Sequence, residues 1–395
     1  MSTAPGSVLV VGASAGGLAT VEALRRKGFE GRITLLGAEQ HLPYDRPPLS
    51  KQVLSGAWEP DKVRLRPEPA LRALGVELVL GDPAVGLDVA NRSVRTGSGR
   101  TLAADAVAIA TGVRARAFPG QAGLAGVHMI RTLDDAVALR AALAVARRLV
   151  VVGDGVLGAE AAATGRGLGL DVTLAGPQEV PMESQIGTWA GGRLADLHAA
   201  RGVRLRLGAG VSELTARSGR VTGVTLDGGA HVPADVVVVA IGGTPATDWL
   251  AGSGLACDDG VVCDSRCRAA DGIYAVGDVA RWQHPGLGGL IRLENRTNAT
   301  EQAVVVAANI LGADAPYAPV PYFWSDQYDV KLMVHGAVPA DAEIDVVEGD
   351  PSDDRFVALC RSEGVPRAVL GWNMPKQARL HRQAVVDAPA PLGRP

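Results

Sequence analysis

Two short glycine-rich stretches carry the clearest chemistry in this chain. The first, Gly12-Ala13-Ser14-Ala15-Gly16-Gly17, follows the apolar run Val8-Leu9-Val10-Val11. The second, Gly153-Asp154-Gly155-Val156-Leu157-Gly158, follows Leu149-Val150-Val151-Val152 and leads to Glu160. In each, a short β-branched run reads as a strand buried on both faces, which breaks into small residues and then into a helix. A helix N-terminus presents unpaired N–H groups and the positive end of its dipole, and small residues let the backbone approach a phosphate. Strand, tight turn and helix together make a dinucleotide pyrophosphate site. Ser14 interrupts the glycine fingerprint of the first copy, whereas the second keeps all three glycines. One such turn alone is also a plain packing solution. Two copies, each able to belong to its own βαβ unit, point to two nucleotides, one fixed and one exchanging.

The elements that must position these turns follow in order. Gly31–Gly37 reads as the second strand of the first unit, and an acidic residue beyond it would bind ribose hydroxyls. Ala38 takes the nearest position and Glu39 follows, so Glu39 is the candidate. In Leu42–Lys51, Pro47 and Pro48 fix an extended path that would hold Arg46 and Lys51 against a bound cofactor, and Ser50 is placed to cap a short helix. Ala106–Gly112 and Gly272–Asp278 are further apolar strands, ending in Thr111-Gly112 and Gly277-Asp278. Asp171–Ala175 is the second strand of the second unit, and Asp235–Pro245 closes that unit through Ile241 and Gly242. Arg292–Gln302 opens a helix whose positive end would stabilise an anionic ring. From Pro321 the pattern becomes alternating, with strands at 328–334, 343–347, 355–361 and 368–372 and a closing helix at about 376–386.

Composition sets the bounds. The chain has 395 residues, enough for two or three cores, with 47% apolar residues and a net charge of −3. That charge gives no global basic field for nucleic acid. No apolar run reaches membrane-spanning length, and the N-terminus lacks the basic region of a signal peptide, so a cytoplasmic protein is expected, without membrane partners. The four cysteines, Cys257, Cys263, Cys267 and Cys360, form no CxxC pair and have no histidine near the first three. They read as ordinary thiols, with no metal site and no disulfide framework.

The segment Leu42-Pro-Tyr44-Asp45-Arg46-Pro47-Pro48-Leu49-Ser50-Lys51, with the motifs around it, resembles the FAD-dependent ferredoxin reductases that serve bacterial haem monooxygenases and Rieske-type dioxygenases. The resemblance covers nearly the whole chain. It implies an α/β fold with two Rossmann-like dinucleotide-binding domains of the glutathione-reductase-like kind and an α+β C-terminal domain. The FAD-binding domain would span 1–113 and 242–320, the NAD(P)H-binding domain 114–241, and the C-terminal domain 321–395. The resemblance places Lys51 beside the flavin ring, paired with Glu160, lets Arg46 and Arg131 reach FAD, and sets Trp324 near the exposed flavin edge. Residue readings and resemblance together draw the FAD site from Gly12, Ser14, Ala15, Gly16, Gly17, Ala38, Glu39, Arg46, Lys51, Val85, Ala110, Thr111, Gly112, Arg131, Gly277, Asp278, Glu294, Asn295, Arg296 and Trp324. The coenzyme site draws on Gly153, Gly155, Val156, Leu157, Gly158, Glu160, Gly176, Ile241 and Gly242.

The implied activity is hydride transfer from NAD(P)H to FAD, then single-electron transfer to a ferredoxin-type iron–sulfur protein, by a monomer or homodimer. The family's habit favours NADH. Yet Gly176-Pro177-Gln178 supplies neither the acid that selects NAD nor an arginine for NADP. Arg292, Arg296 and Lys331 are candidates for a basic face toward an acidic ferredoxin. Arg296 and Met333 depart from the family pattern. Two other readings share the scaffold: an oxidase or disulfide-type reductase, which needs a cysteine that 38–56 lacks, and a nucleotide-sensing flavoprotein.

Overall fold

The computed structural model describes residues 5–388; residues 1–4 and 389–395, the ends of the first and last expected domains, lie outside the described residues. A six-stranded sheet runs Arg268–Ala270, Ile273–Ala275, Ala106–Ile109, Ser7–Val11, Arg32–Leu36, Val76–Val79. Strands from the start of the chain and from beyond residue 267 therefore share one sheet. Ser7–Val11 pairs in parallel on both sides, which explains its unbroken apolar run. A second sheet, Arg204–Arg206, Asp171–Ala175, Arg148–Val152, Val236–Val239, Val127–His128, is parallel throughout. The chain crosses between them on an antiparallel pair, Val113–Ala115 with Gly243–Pro245.

The two glycine turns are stereochemical copies. Gly12 has φ +122° and Gly153 has φ +110°; a Cβ at either would lie 2.1 or 2.2 Å from the carbonyl oxygen of Ala110 or Ala240. Each turn opens a helix, Ala15–Arg26 or Val156–Gly167. Gly17 and Gly158 let those helices lie tight on their own turns, since a Cβ there would come 1.8 Å from the oxygen of Gly12 or Gly153.

The C-terminal sheet is antiparallel, in the order Tyr322–Gln327, Val330–Gly336, Val365–Trp372, Arg355–Ser362, Glu343–Asp350. Tyr322–Gln327 is itself a strand, one more than the alternation predicts, and Tyr328 makes the turn at φ +54°. Its alternation is aromatic against polar, Tyr322 and Trp324 facing away from buried Ser325 and Gln327, so apolar periodicity misses it. The closing helix is two short ones, Pro375–His381 and Gln383–Val386. Three small sheets, two antiparallel ones starting at Ala84 and Val211 and a mixed one starting at Val261, also escape the pattern. The sheet packs Phe356 and Trp372, both buried, with Ile186, Ala190 and Leu194 of the helix Glu183–Ala200. Each large side chain contributes roughly 1.5–3 kcal/mol through burial, which fixes the third sheet against the second unit.

Candidate active site

A cavity of about 920 Å³ opens where the three sheets meet. The first glycine turn reaches it through Ser14, Ala15 and Gly16, and the second through Gly155, Val156, Leu157 and Glu160. Ala110, Thr111, Gly112 and Gly242, on the two crossing strands' approaches, line its floor, with Thr111 Oγ1 donating to the Ala246 carbonyl at 2.9 Å. Arg46, Lys51, Arg131, Gly277, Asp278, Glu294, Asn295, Arg296 and Trp324 complete the expected residues that the structure brings together. Gly12, Gly17, Gly153 and Gly158 sit behind the lining, where they shape the turns. Ala38, Glu39, Gly176 and Ile241 also fall outside it, and Val85 is 43% exposed on the strand Ala84–Asp88.

Lys51 and Glu160 meet as expected, Nζ to Oε2 at 2.7 Å, with side chains 11% and 6% exposed. The short turn Pro47–Ser50 delivers Lys51, and the helix Val156–Gly167 delivers Glu160. Ser50 ends that turn instead of capping a following helix: its hydroxyl donates to Glu160 Oε2 at 2.6 Å, a charge-assisted bond. The other carboxylate oxygen, Oε1, accepts from Ser325 Oγ at 2.8 Å. Ser325 in turn accepts from Gln327 Nε2 at 3.0 Å, and Gln327 Oε1 lies 2.8 Å from His198 Nε2. His198, wholly buried, is held below the ordinary histidine range by desolvation, so its neutral Nε2–H donates to Gln327. Lys51 Nζ also stands 5.1 Å from the Trp324 ring centroid. Glu160 is thus an anion with one cationic and two hydroxyl donors, drawn from all three sheets' neighbourhoods.

Sequence reading gave Ser50 only a capping role and missed Ser325, Gln327 and His198. A signal was present for two of them: Ser325 and Gln327 stand two apart among aromatics, hence on one face of a strand.

On the opposite wall, Arg131 Nη2 faces Asp278 Oδ2 at 3.6 Å. Burial raises the Asp278 carboxyl above its usual range, with Arg131 opposing that rise, and burial lowers the Arg131 guanidinium. Gly277 N–H donates to Gln302 Oε1 at 2.7 Å, which pins the turn presenting Asp278. Arg46 donates to the Arg131 carbonyl and to Glu39 Oε1 (2.8 Å), and Tyr44 donates to Glu39 Oε2 at 2.6 Å. Glu39 is therefore engaged in orienting Arg46. Asn295 caps the helix Arg296–Ile310, accepting from the Asn298 N–H at 2.6 Å and aiming the helix's positive end into the cavity. Arg296 is committed to Asp45 at 2.6 Å, and Arg292 to Asp259 (3.2 Å) and Glu294 (2.6 Å). Of the expected basic face, only Lys331 stands exposed outside an ion pair with these partners.

The residues present fit FAD and a nicotinamide coenzyme. Both glycine turns are cradles a side chain would fill, and a Cβ on Gly155 would meet nothing within 4 Å, leaving the turn open toward the cavity. A model of pyridine nucleotide-disulphide oxidoreductases matches residues 6–303, and a reductase C-terminal model matches residues 322–391. The chain belongs to the pyridine nucleotide-disulphide oxidoreductases. It is 38% identical over 356 residues to the rhodocoxin reductase of Rhodococcus erythropolis, covering 90% of this chain and 83% of that one. It is 35% identical over 381 residues to the benzene 1,2-dioxygenase system ferredoxin–NAD(+) reductase subunit of Pseudomonas putida, covering 96% and 92%. Among solved structures, the ferredoxin reductase for the CYP199A2 system from Rhodopseudomonas palustris superposes with TM-score 0.93 at 33% identity, covering 98% and 96%. The reductase in the covalent putidaredoxin reductase–putidaredoxin complex gives TM-score 0.90 at 31% identity, covering 96% and 93%. This family member is a flavoprotein oxidoreductase of the two-dinucleotide fold, using FAD and NAD(P)H.

Proposed function

We propose that this reductase takes hydride from NADH, or NADPH, and passes electrons singly to a ferredoxin-type iron–sulfur protein serving an oxygenase. The observation that carries this reading is the buried Lys51–Glu160 pair beneath Trp324, set between the two glycine turns. Bound FAD would supply the ring that accepts hydride and releases single electrons. The protein's part is positioning and electrostatics. The first glycine turn, Arg46, Arg131 and Asp278 would hold the FAD, the second turn would hold the coenzyme, and Lys51, paired with Glu160, would set a cationic group at the cavity wall. The domain division 1–113 with 242–320, 114–241 and 321–395 is supported by the first sheet, which joins strands before residue 110 to strands after residue 267, and by the separate sheets of the other two units.

The disulfide-type alternative needs a reactive thiolate at the flavin. Among the described residues no cysteine lines the cavity, and burial pushes Cys267 and Cys360 up to about 12 and raises Cys263 as well. The relatives named for oxygenase systems and the putidaredoxin complex support a ferredoxin partner. Among the described residues no helix is long and apolar enough to cross a membrane, and cytoplasmic electron transfer accords with that.

The test is an anaerobic titration with NADH, and separately NADPH, following the flavin band, then mixing with a [2Fe–2S] ferredoxin. Stoichiometric bleaching followed by ferredoxin reduction is expected. A yellow protein that neither coenzyme reduces would support the sensing alternative, and failure to bind FAD would overturn the reading.

A further inference from the structure

The strand Asp171–Ala175 runs out at Gly176, where a βαβ site ordinarily presents a carboxylate to the adenosine ribose. Gly176 presents none, but the place is taken. A Cβ built on Gly176 would lie 2.2 Å from Asp154 Oδ2 and 2.3 Å from its Cγ. The second residue of the glycine turn thus projects its own carboxyl group into the volume that a strand-end acid would enter. Asp154 is 4% exposed and held by one residue: Oδ2 accepts the Gln178 N–H at 2.8 Å and Oδ1 accepts Gln178 Nε2 at 2.7 Å. Its own carbonyl accepts the Met182 N–H at 2.8 Å, so the loop 176–182 closes around it. An ionised carboxylate has about four acceptor positions, and Gln178 fills two. The neighbouring Gly155 is open above the turn and lines the cavity.

We propose that Asp154 is the specificity-determining residue of the second dinucleotide site, its carboxylate accepting from the adenosine 2′-hydroxyl and repelling a 2′-phosphate, so that NADH is taken and NADPH refused. This deepens, and rests on, the reading of the second unit as the coenzyme site. The opposing influence is Arg206, exposed at the end of the adjoining strand, whose carbonyl accepts the Gly176 N–H at 3.1 Å. An exposed guanidinium is screened by water and salt, whereas a carboxylate nearly out of solvent is screened much less, so Asp154 sets the sign of the local field. The two places overlap: a side chain at 176 would have to displace the Asp154 carboxyl group from where it stands. No positive φ constrains Gly176, so sterics with Asp154 alone keep it glycine.

The test is calorimetric titration of the oxidised, FAD-loaded protein with ADP-ribose and with 2′-phospho-ADP-ribose, a binding readout independent of turnover. The wild type should prefer the unphosphorylated probe by about tenfold or more, and D154N should shrink that preference to about threefold or less. The double variant D154G/G176E returns the acid to the strand end and should restore the preference, which also shows that the loop still folds. A wild type favouring the phosphorylated probe, or an unchanged ratio in D154N, overturns the proposal. Loss of binding of both probes by a wild type that retains FAD overturns the coenzyme-site reading itself, and Asp154's role with it.

Discussion

Ser325 Oγ donates to Glu160 Oε1 at 2.8 Å, across 165 positions of sequence, and this contact ties the C-terminal sheet to the residue that holds Lys51. The aromatic strand thereby does two things at once. One face carries Trp324 into the cavity, and the other carries Ser325 and Gln327 into the polar chain behind Glu160.

Removing the cation is the most direct intervention. Lys51→Ala leaves Glu160 buried with only its hydroxyl donors, and loss of one partner of such a pair typically costs about 3–5 kcal/mol. Flavin reduction by NADH in stopped flow should slow by about tenfold or more, while bound FAD, read from the absorbance ratio, stays near one per chain. Unchanged reduction kinetics would remove Lys51 from its role.

Ser325→Ala tests the support behind that pair. The substitution deletes one donor to Glu160 and leaves Gln327 Nε2 with only the weak acceptor Met182 Sδ at 3.2 Å, a loss of about 1–2 kcal/mol. Because the Lys51–Glu160 contact survives, the effect should fall on the flavin midpoint potential and the rate of reduction, with coenzyme affinity held. A variant that changes thermal stability alone, with potential and rate intact, would assign Ser325 a purely structural part.

The glycine turns were legible because φ of +122° and +110° is a local demand that glycine meets most readily, which the Ala110 and Ala240 carbonyls of neighbouring strands then enforce. Lys51 and Glu160, 109 positions apart, were paired only through family resemblance. Ser325, Gln327 and His198 were not legible as a set, because their meeting depends on how the third sheet docks on the helix Glu183–Ala200. The basic face failed for a related reason. Arg292 and Arg296 look free in sequence, but folding spends both on Asp259, Glu294 and Asp45.

Trp324→Ala separates the two half-reactions. Trp324 lies over Lys51 at the cavity wall. Ferredoxin reduction should fall by about tenfold or more while reduction by NADH changes by less than about threefold. Equal losses in both steps would place Trp324 in general support of the cavity instead of on the exit path.

His335 gives the fold a pH dependence that can be read without cofactor chemistry. It is 6% exposed, stacked on Tyr322 at 4.7 Å, and neither ring nitrogen has a hydrogen-bond partner among the described residues. Burial, aided by Arg382 and Arg379 of the closing helices, lowers it from 6.5 to about 4. Its folded value lies below its unfolded one, so the unfolded chain binds the proton first. The contribution is complete above the unfolded value and is lost as pH falls from about 6.5 toward about 4. After discounting for solvent screening, the loss between about pH 7 and about pH 5 is about 1–2 kcal/mol. His335→Phe keeps the stack on Tyr322 and removes the titration. Urea unfolding at the two pH values should show a smaller acid loss in the variant than in the wild type. Equal losses would mean that His335 is solvated enough to protonate in the folded state.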